Sequence, residues 1–309
     1  MGWQTETTLE TPTGAALRLY VHAPQGRPRA IVQINHGLAE HAGRYGRFAR
    51  LLADCGLAAY AHDHRGHGHT RAPGAPMGSF GPEPAAENVL ADVLAVHDRI
   101  AADHPGLPVI LFGHSLGAII ALAFLRRHAG RLRAAALWNA PLASPLAARA
   151  ARAVLGWERL RLGSDVPSRL MPRLTFRAWA SAIPDAATPF DWLSRDAAEV
   201  AAYIADPLCG RDATVAMWRA VFDLNLLAVG GSLAATVRRD LPIQLVGGGG
   251  DPSTKGGATM RRLAARLARE GFSNLQTRIY GETRHESLNE LNRNLIMEDF
   301  CAWAKGAAG

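Results

Sequence analysis

Long apolar runs are missing from this chain of 309 residues. No window approaches the roughly 18 consecutive apolar residues that a membrane-spanning helix requires. Residues 1–10 lack the basic stretch followed by an apolar stretch that marks a secretory signal. Cysteine is also scarce, and the irregular spacing of Cys55, Cys209 and Cys301 predicts buried free thiols rather than a disulfide framework. We therefore expect a cytoplasmic protein.

Blocks of like charge are missing as well. The formal net charge is +7, but the arginines are scattered or occur in isolated pairs such as Arg126 and Arg127. Because nucleic-acid-binding chains cluster their basic residues, we expect no nucleic acid partner. The content of 48% hydrophobic and 20% charged residues is typical of a folded globular protein. The sequence leaves the oligomeric state open.

Short apolar runs alternate with helical stretches through the first half of the chain. This alternation predicts the α/β class, with a mostly parallel sheet of about eight strands flanked by helices. The predicted strands cover residues 16–22, 30–35, 57–62, 108–113, 133–139, 242–246 and 275–280. The predicted helices cover residues 45–55, 86–104, 115–128, 258–270 and 289–303.

The alternation stops in the middle of the chain. Residues 142–237 show helical pieces interrupted by prolines, with several tryptophans and no clear strand. We interpret this segment as a helical lid inserted into a core formed by residues 1–141 and 238–309.

A possible nucleophile lies at residues 113–117, where GHSLG matches the pattern Gly-x-Ser-x-Gly between a predicted strand and a predicted helix. The serine of this motif occupies a sharp turn, and the flanking positions are glycine because side chains would clash there. Such patterns also arise by chance in a chain with 31 glycines. The strand and helix on either side favour Ser115 as a nucleophile.

A serine hydroxyl needs a histidine to accept its proton and a carboxylate to orient that histidine. In this architecture the chain order is serine, acid, histidine. His285 is the only histidine after the proline-interrupted segment, and Asp251 follows a predicted strand and four glycines. The sequence thus predicts a triad of Ser115, Asp251 and His285. Asp240 and Asp223 are weaker candidates for the acid.

Ester cleavage also needs N–H donors for the developing oxyanion. The backbone N–H of Leu116 is one candidate, and Gly37 would let the chain turn so that the N–H of Leu38 is the second. The histidine-rich residues 62–69 suggest a metal site, but a glycine-rich turn after a strand explains them without one. We expect neither a metal nor a cofactor.

Several segments together resemble the monoacylglycerol lipase and lysophospholipase branch of the α/β hydrolases. They are HGLAEHAGRY at 36–45, DHRGHGHT at 63–70, GHSLG at 113–117, SRDAAEVAAYIADPLC at 194–209 and GETRHESLNE at 281–290. The resemblance implies the α/β-hydrolase fold, a cytosolic enzyme without a cofactor, a small helical lid and an acyl tunnel beneath it.

The resemblance also implies residues on the alcohol side of the ester. Glu40 and Arg44 would lie there, paired with each other, either binding substrate or only shaping the oxyanion loop. Leu288 stands where these lipases carry a second histidine, three residues after His285. We expect Leu288 to border the leaving-group pocket and to weaken the preference for glycerol esters, because leucine offers no hydrogen bond.

These features predict a serine hydrolase that cleaves carboxylic esters of single-chain acyl lipids such as monoacylglycerols or lysophospholipids. The alternatives are a broad-specificity carboxylesterase, a hydrolase of polyester oligomers or amides, and a catalytically silent binding protein. We expect the lid to touch lipid surfaces transiently. Its inner face would cover an acyl channel, unless its aromatic residues only pack the lid onto the core. The residues predicted on that face are Leu155, Trp157, Trp179, Phe190 and Leu193.

Overall fold

An eight-stranded sheet forms the centre of the computed structural model, which describes residues 2–309. Its strands are β1 (Thr5–Glu10), β2 (Ala16–His22), β3 (Ala30–Asn35), β4 (Leu57–His62), β5 (Val109–His114), β6 (Ala134–Trp138), β7 (Ile243–Gly248) and β8 (Leu275–Tyr280). Their order across the sheet is β1-β2-β4-β3-β5-β6-β7-β8. The β1–β2 and β2–β4 pairs are antiparallel, and the remaining pairs, from β4 to β8, are parallel. The mostly parallel α/β sheet is confirmed.

The edge strand β1 was not predicted. Its sequence TETTLE is polar and largely exposed, and β2 is its partner. A strand that buries few apolar side chains carries no hydrophobic periodicity, so its pairing with β2 is what reveals it.

Helices cover both faces of the sheet. They are α1 (Gly46–Asp54), α2 (Ala85–Asp103), α3 (Leu116–His128), α4 (Pro145–Leu162), α5 (Met171–Leu174), α6 (Phe176–Ser181), α7 (Ala197–Ala205), α8 (Val215–Val229), α9 (Ala258–Arg269) and α10 (Arg293–Ala308). One hydrophobic cluster joins the sheet to α2, α3, α8 and α9, and a second joins it to α1 and α10. Alternate residues of β5 enter the two clusters, so the strand is apolar throughout.

The chain between β6 and β7 contains helices α4 to α8. Ser144 and Thr214 cap α4 and α8 by accepting hydrogen bonds from Ala147 N and Met217 N. Within the described residues this stretch has no strand, only an isolated bridge between Pro167 and Thr214. We call residues 142–237 the helical segment. Residues of this segment line the same cavity as Ser115, which follows β5. The segment therefore lies over the carboxyl ends of the central strands.

The three cysteines are free. Cys209 and Cys301 are buried as predicted, but Cys55 at the end of α1 is partly exposed. No helix within residues 2–309 is both long enough and apolar enough to cross a lipid bilayer.

Candidate active site

Ser115 lies at the sharp turn between β5 and α3, with φ 55° and ψ −118°. This positive φ is strained for a residue with a side chain. A Cβ atom at Gly117 would lie 2.0 Å from the carbonyl oxygen of Asn35, and one at Gly113 would lie 2.2 Å from the carbonyl oxygen of Gly117. Only glycine allows β3, β5 and α3 to meet this closely, so the turn holds Ser115 at the end of the strand.

Ser115 and His285 line the same cavity, which has a volume of about 430 Å³. Its wall is mainly apolar, and the helical segment supplies most of the aromatic side chains. A cavity of this size and lining suits an apolar acyl group. The large apolar residues in the wall include Ile119, Phe176, Trp179, Phe190, Trp192 and Trp218.

The structure brings Asp251 and His285 together. Nδ1 of His285 lies 3.1 Å from Oδ2 of Asp251, and both residues are buried. Burial by itself raises the pKa of the Asp251 carboxyl. The positive charge available on His285 and hydrogen bonds from His285, Ser253 and Asn139 outweigh burial, so the pKa is about 2. Asp251 is therefore an ionised acceptor at neutral pH.

The two weaker acid candidates lie elsewhere. Asp240 is largely exposed and pairs with Arg238. Asp223 belongs to α8 in the helical segment and pairs with Arg152. Neither residue lines the cavity, whereas Asp251 contacts His285 directly.

The loop after β3 lies directly against the nucleophile. A Cβ atom at Gly37 would lie 3.3 Å from Cβ of Ser115 and 2.6 Å from Oε1 of Glu40. Leu38 and Leu116, the predicted oxyanion donors, both line the cavity beside Ser115. We call residues 36–41 the oxyanion loop, after the role predicted for Leu38.

Buried histidines hold the start of the oxyanion loop. Nδ1 of His36 donates to the carbonyl oxygen of Gly37 at 2.8 Å, and Nε2 accepts from the backbone N–H of His64 at 2.9 Å. Burial lowers the pKa of His62 and His67 to about 4, so both stay neutral above that pH. Among residues 2–309, the histidines of the 62–69 tract do not belong to a group of three ligand-type atoms within 4.8 Å of one another. The rings of His64 and His67 pack against His36, and His62 packs against His64.

Glu40 is a buried hydrogen-bond acceptor at the base of the oxyanion loop. Oε1 accepts from the backbone N–H of Gly37 at 2.6 Å and from the hydroxyl of Tyr45 at 2.9 Å. Oε2 accepts from Arg44 at 2.9 Å, as the predicted pairing requires. Burial raises the Glu40 pKa, but the hydrogen bond from His114 and the charge of Arg44 lower it overall. Glu40 lines the cavity, whereas Arg44 faces a separate, much smaller one.

Glu286 was missed by the sequence reasoning. Its carboxylate accepts two hydrogen bonds from Arg44, at 2.5 and 2.7 Å, and it lines the cavity next to His285. This bidentate ion pair connects the loop that contains His285 to Arg44, three residues after the oxyanion loop. Its only sequence signal is its position directly after His285.

Leu288 does not lie where it was expected. It is buried in the cluster that joins α1 and α10 to the sheet, and it does not line the cavity of Ser115. Residues 287–289 form a 3₁₀ turn rather than the start of a helix, which directs Leu288 into the core. The predicted position of Leu288 beside the leaving group is therefore not borne out by the cavity wall, which contains Glu40 and Glu286 near His285 instead.

The residues predicted on the inner face of the helical segment divide into three groups. Trp179, Phe190 and Leu193 line the cavity. Leu155 is fully buried in the core cluster and does not line the cavity. Trp157 is 54% exposed, with the guanidinium of Arg161 above its ring, so its placement on the inner face was wrong.

Three hydrogen bonds join the helical segment to the oxyanion loop. The carbonyl oxygen of Ala39 accepts from the hydroxyl of Tyr203 at 2.8 Å and from the backbone N–H of Gly210 at 2.9 Å. Nε2 of His41 lies 2.8 Å from Oδ2 of Asp206. Ala39 has φ 59°, an unfavourable value for alanine that these bonds help to hold.

Among the described residues, His41, Asp206 and Cys209 bring three ligand-type atoms within 4.8 Å of one another. The backbone N–H of Gly43 donates to Nδ1 of His41, so the ring proton is on Nε2 and donates to Asp206. A metal at Nε2 would have to displace that proton and reverse the tautomer. The hydrogen bonds present fit a structural contact better than a metal site.

The parallel sheet, the strained serine turn and the histidine–carboxylate pair define an α/β-hydrolase fold. Residues 26–292 match the model of the family described as serine aminopeptidase, S33, and the chain belongs to this family of hydrolases.

Individual relatives agree with this assignment. The chain is 30% identical over 289 residues to a monoacylglycerol lipase of Mycolicibacterium smegmatis, covering 92% of this chain and 90% of the relative. It is 31% identical over 245 residues to a monoglyceride lipase of Homo sapiens, covering 78% and 72%. A solved structure described as an open-form lipase superposes with a TM-score of 0.86 at 28% identity over 99% of each chain. The resemblance inferred from the motifs is confirmed.

Proposed function

We propose that the protein is a carboxylic ester hydrolase acting on single-chain acyl lipids such as monoacylglycerols or lysophospholipids. The observation that carries this proposal is the position of Ser115 and His285 in the wall of one large apolar cavity. Family membership and the similarity to monoacylglycerol lipases support the same reaction class.

In the proposed reaction, Ser115 Oγ attacks the ester carbonyl while His285 Nε2 accepts the hydroxyl proton. Asp251 keeps the ring proton on Nδ1, so that Nε2 is free to act as the base. The N–H groups of Leu38 and Leu116 stabilise the oxyanion. His285 then returns the proton to the leaving alcohol, and a water molecule hydrolyses the acyl-enzyme by the same steps.

On the alcohol side, we propose that Glu40 and Arg44 mainly shape the oxyanion loop. Glu40 accepts a hydrogen bond from the backbone N–H of Gly37, and Arg44 donates hydrogen bonds to both Glu40 and Glu286. Because of these bonds, both side chains already have hydrogen-bond partners in the absence of substrate. Removing one member would leave a buried charge without its partner, so single substitutions of these residues should also destabilise the fold.

The volume of about 430 Å³ and the apolar wall of the cavity predict a preference for longer acyl chains. Each methylene buried against its apolar wall should raise kcat/KM by up to about fourfold, because burial contributes about 0.8 kcal/mol per methylene. We expect p-nitrophenyl octanoate to be a better substrate than the acetate, and Val221→Phe, which narrows the cavity, to shift the optimum to shorter chains. Preference for acetyl esters, or an unchanged optimum in the variant, would contradict an acyl channel. Absence of hydrolysis for esters of every chain length would contradict the proposal that the protein is an ester hydrolase.

We propose that the helical segment acts as a lid with an outer surface that contacts lipid. Exposed apolar side chains concentrate on α4 and the chain that follows it, and arginines lie among them. Such a mixture suits an interface with anionic lipid. The exposed apolar residues are Leu146, Val154, Trp157, Leu160, Val166 and Leu174.

Leu160→Asp should weaken binding to vesicles of phosphatidylcholine and phosphatidylglycerol by about tenfold, because it removes a leucine from the lipid and adds a repelled charge. Leu291→Asp is the matched control, since Leu291 is also exposed but lies before α10. Co-sedimentation with the vesicles measures binding. Equal losses in both variants would argue against a lipid-contacting lid.

A cytoplasmic location is also proposed, supported by three unpaired cysteines. The predicted lack of a nucleic acid partner stays a prediction.

A further inference from the structure

Ser253 lies between the predicted acid and the predicted base. Its hydroxyl oxygen is 2.7 Å from Oδ1 of Asp251 and 2.9 Å from Nδ1 of His285. The direct contact between His285 Nδ1 and Asp251 Oδ2 is longer, at 3.1 Å. The nearest oxygen to Nδ1 of the histidine is therefore a hydroxyl, not a carboxylate.

The direction of each bond follows from the available protons. The Asp251 carboxyl is ionised at neutral pH because its pKa is about 2, so it can only accept hydrogen bonds. The hydroxyl proton of Ser253 consequently points to Oδ1, which also accepts the backbone N–H of Ser253 at 2.9 Å. The remaining lone pairs of Ser253 Oγ can accept the proton on Nδ1 of His285. That proton is shared between the hydroxyl and the carboxylate.

We propose that Ser253 is a positioning residue that acts with Asp251 to keep the His285 proton on Nδ1 and to orient the imidazole toward Ser115. The inference rests on the proposed function, since it assigns His285 as the base. Ser253 does not touch the substrate, because it does not line the cavity. Its effect therefore passes through the histidine.

The other groups around His285 contact different atoms. Nε2 of His114 donates to the backbone carbonyl oxygen of His285 at 2.9 Å, and the Trp192 ring packs against the imidazole. Glu286 follows His285 in the chain, but its carboxylate pairs with Arg44. Within residues 2–309, Asp251 and Ser253 are the two side chains that form a hydrogen bond with Nδ1.

Thr254 provides a matched control. It is fully buried, and its hydroxyl donates to Oδ2 of the same carboxylate at 2.8 Å. Ser253→Ala and Thr254→Val each remove one hydroxyl bond to Asp251, but only Ser253→Ala also removes an acceptor of the His285 proton. Comparison of the two variants separates an effect on the histidine from a general weakening of the Asp251 site.

The test is the pH dependence of kcat and KM for a p-nitrophenyl ester in wild type and both variants. Ser253→Ala should lower kcat by about tenfold with little change in KM, because one hydrogen bond to the imidazolium is lost in the transition state. The acidic limb of its kcat/KM profile should move to lower pH, by about half a unit or more. Thr254→Val should leave the limb at its wild-type position, and Ser253→Thr should recover most of the lost kcat.

Two outcomes would overturn the proposal. The first is a Ser253→Ala variant with the kcat and pH profile of wild type. The second is an equal shift of the acidic limb in Thr254→Val, which would place the effect on Asp251 alone. Both outcomes presuppose an active wild type that needs Ser115, so failure of the proposed function is recognised separately by a wild type without esterase activity.

Discussion

Ser115→Ala should lower kcat for ester hydrolysis by about 10⁴-fold or more, because no other group can form the acyl-enzyme. The fold should survive, since the change removes one oxygen from a residue on the cavity wall. Ser181→Ala is the matched control. Ser181 also lines the cavity, but its hydroxyl donates to the backbone carbonyl oxygen of Arg177 in α6.

Single-turnover and steady-state assays of both variants, with circular dichroism as a check on folding, measure this difference. A folded Ser115→Ala protein that kept more than about a hundredth of the wild-type kcat would remove Ser115 as the nucleophile. An equally large loss in Ser181→Ala would point to general damage to the cavity instead.

Asp251→Asn should lower kcat by about 10³–10⁴-fold, since an amide can donate to Nδ1 of His285 and so favour the wrong tautomer.

Because the pKa of Asp251 is lowered to about 2, its ionised form persists throughout the neutral range and is lost only in strong acid. Wild-type activity should accordingly not depend on Asp251 titration above about pH 4.

The coupling between the three residues gives a further check on Asp251. In Ser115→Ala, the added Asp251→Asn change should cause little further loss, because the residues act in the same step. Thr254→Val again serves as a control that weakens the carboxylate site without changing its charge. Wild-type activity in Asp251→Asn would require another carboxylate as the acid.

The sheet was predictable because most of its strands are buried on both faces and read as apolar runs. The turn at Ser115 was predictable for a different reason, since steric crowding dictates both glycines at fixed spacing. The pairing of Asp251 with His285 followed from chain order and from the strands that precede each residue. These features are local, or follow from topology.

The missed features depend on tertiary packing. Trp157 and Trp192 are both tryptophans of the helical segment, but only the direction of their helix or loop decides which one faces the cavity. Leu288 enters the core because the chain after His285 forms a short 3₁₀ turn. The carboxylate of Glu286 pairs with Arg44, which is far away in sequence. The spacing of apolar and polar residues along the chain does not predict such long-range contacts.

The most direct test of the account is covalent labelling with a fluorophosphonate, which reacts only with an activated serine. Mass spectrometry of the intact protein should show a single adduct, and peptide mapping should place it on Ser115. His285→Ala should slow the labelling strongly, because the base that accepts the hydroxyl proton is lost. Absence of an adduct on the folded wild type, or an adduct on another serine, would contradict the assignment of Ser115 as the nucleophile of an ester hydrolase.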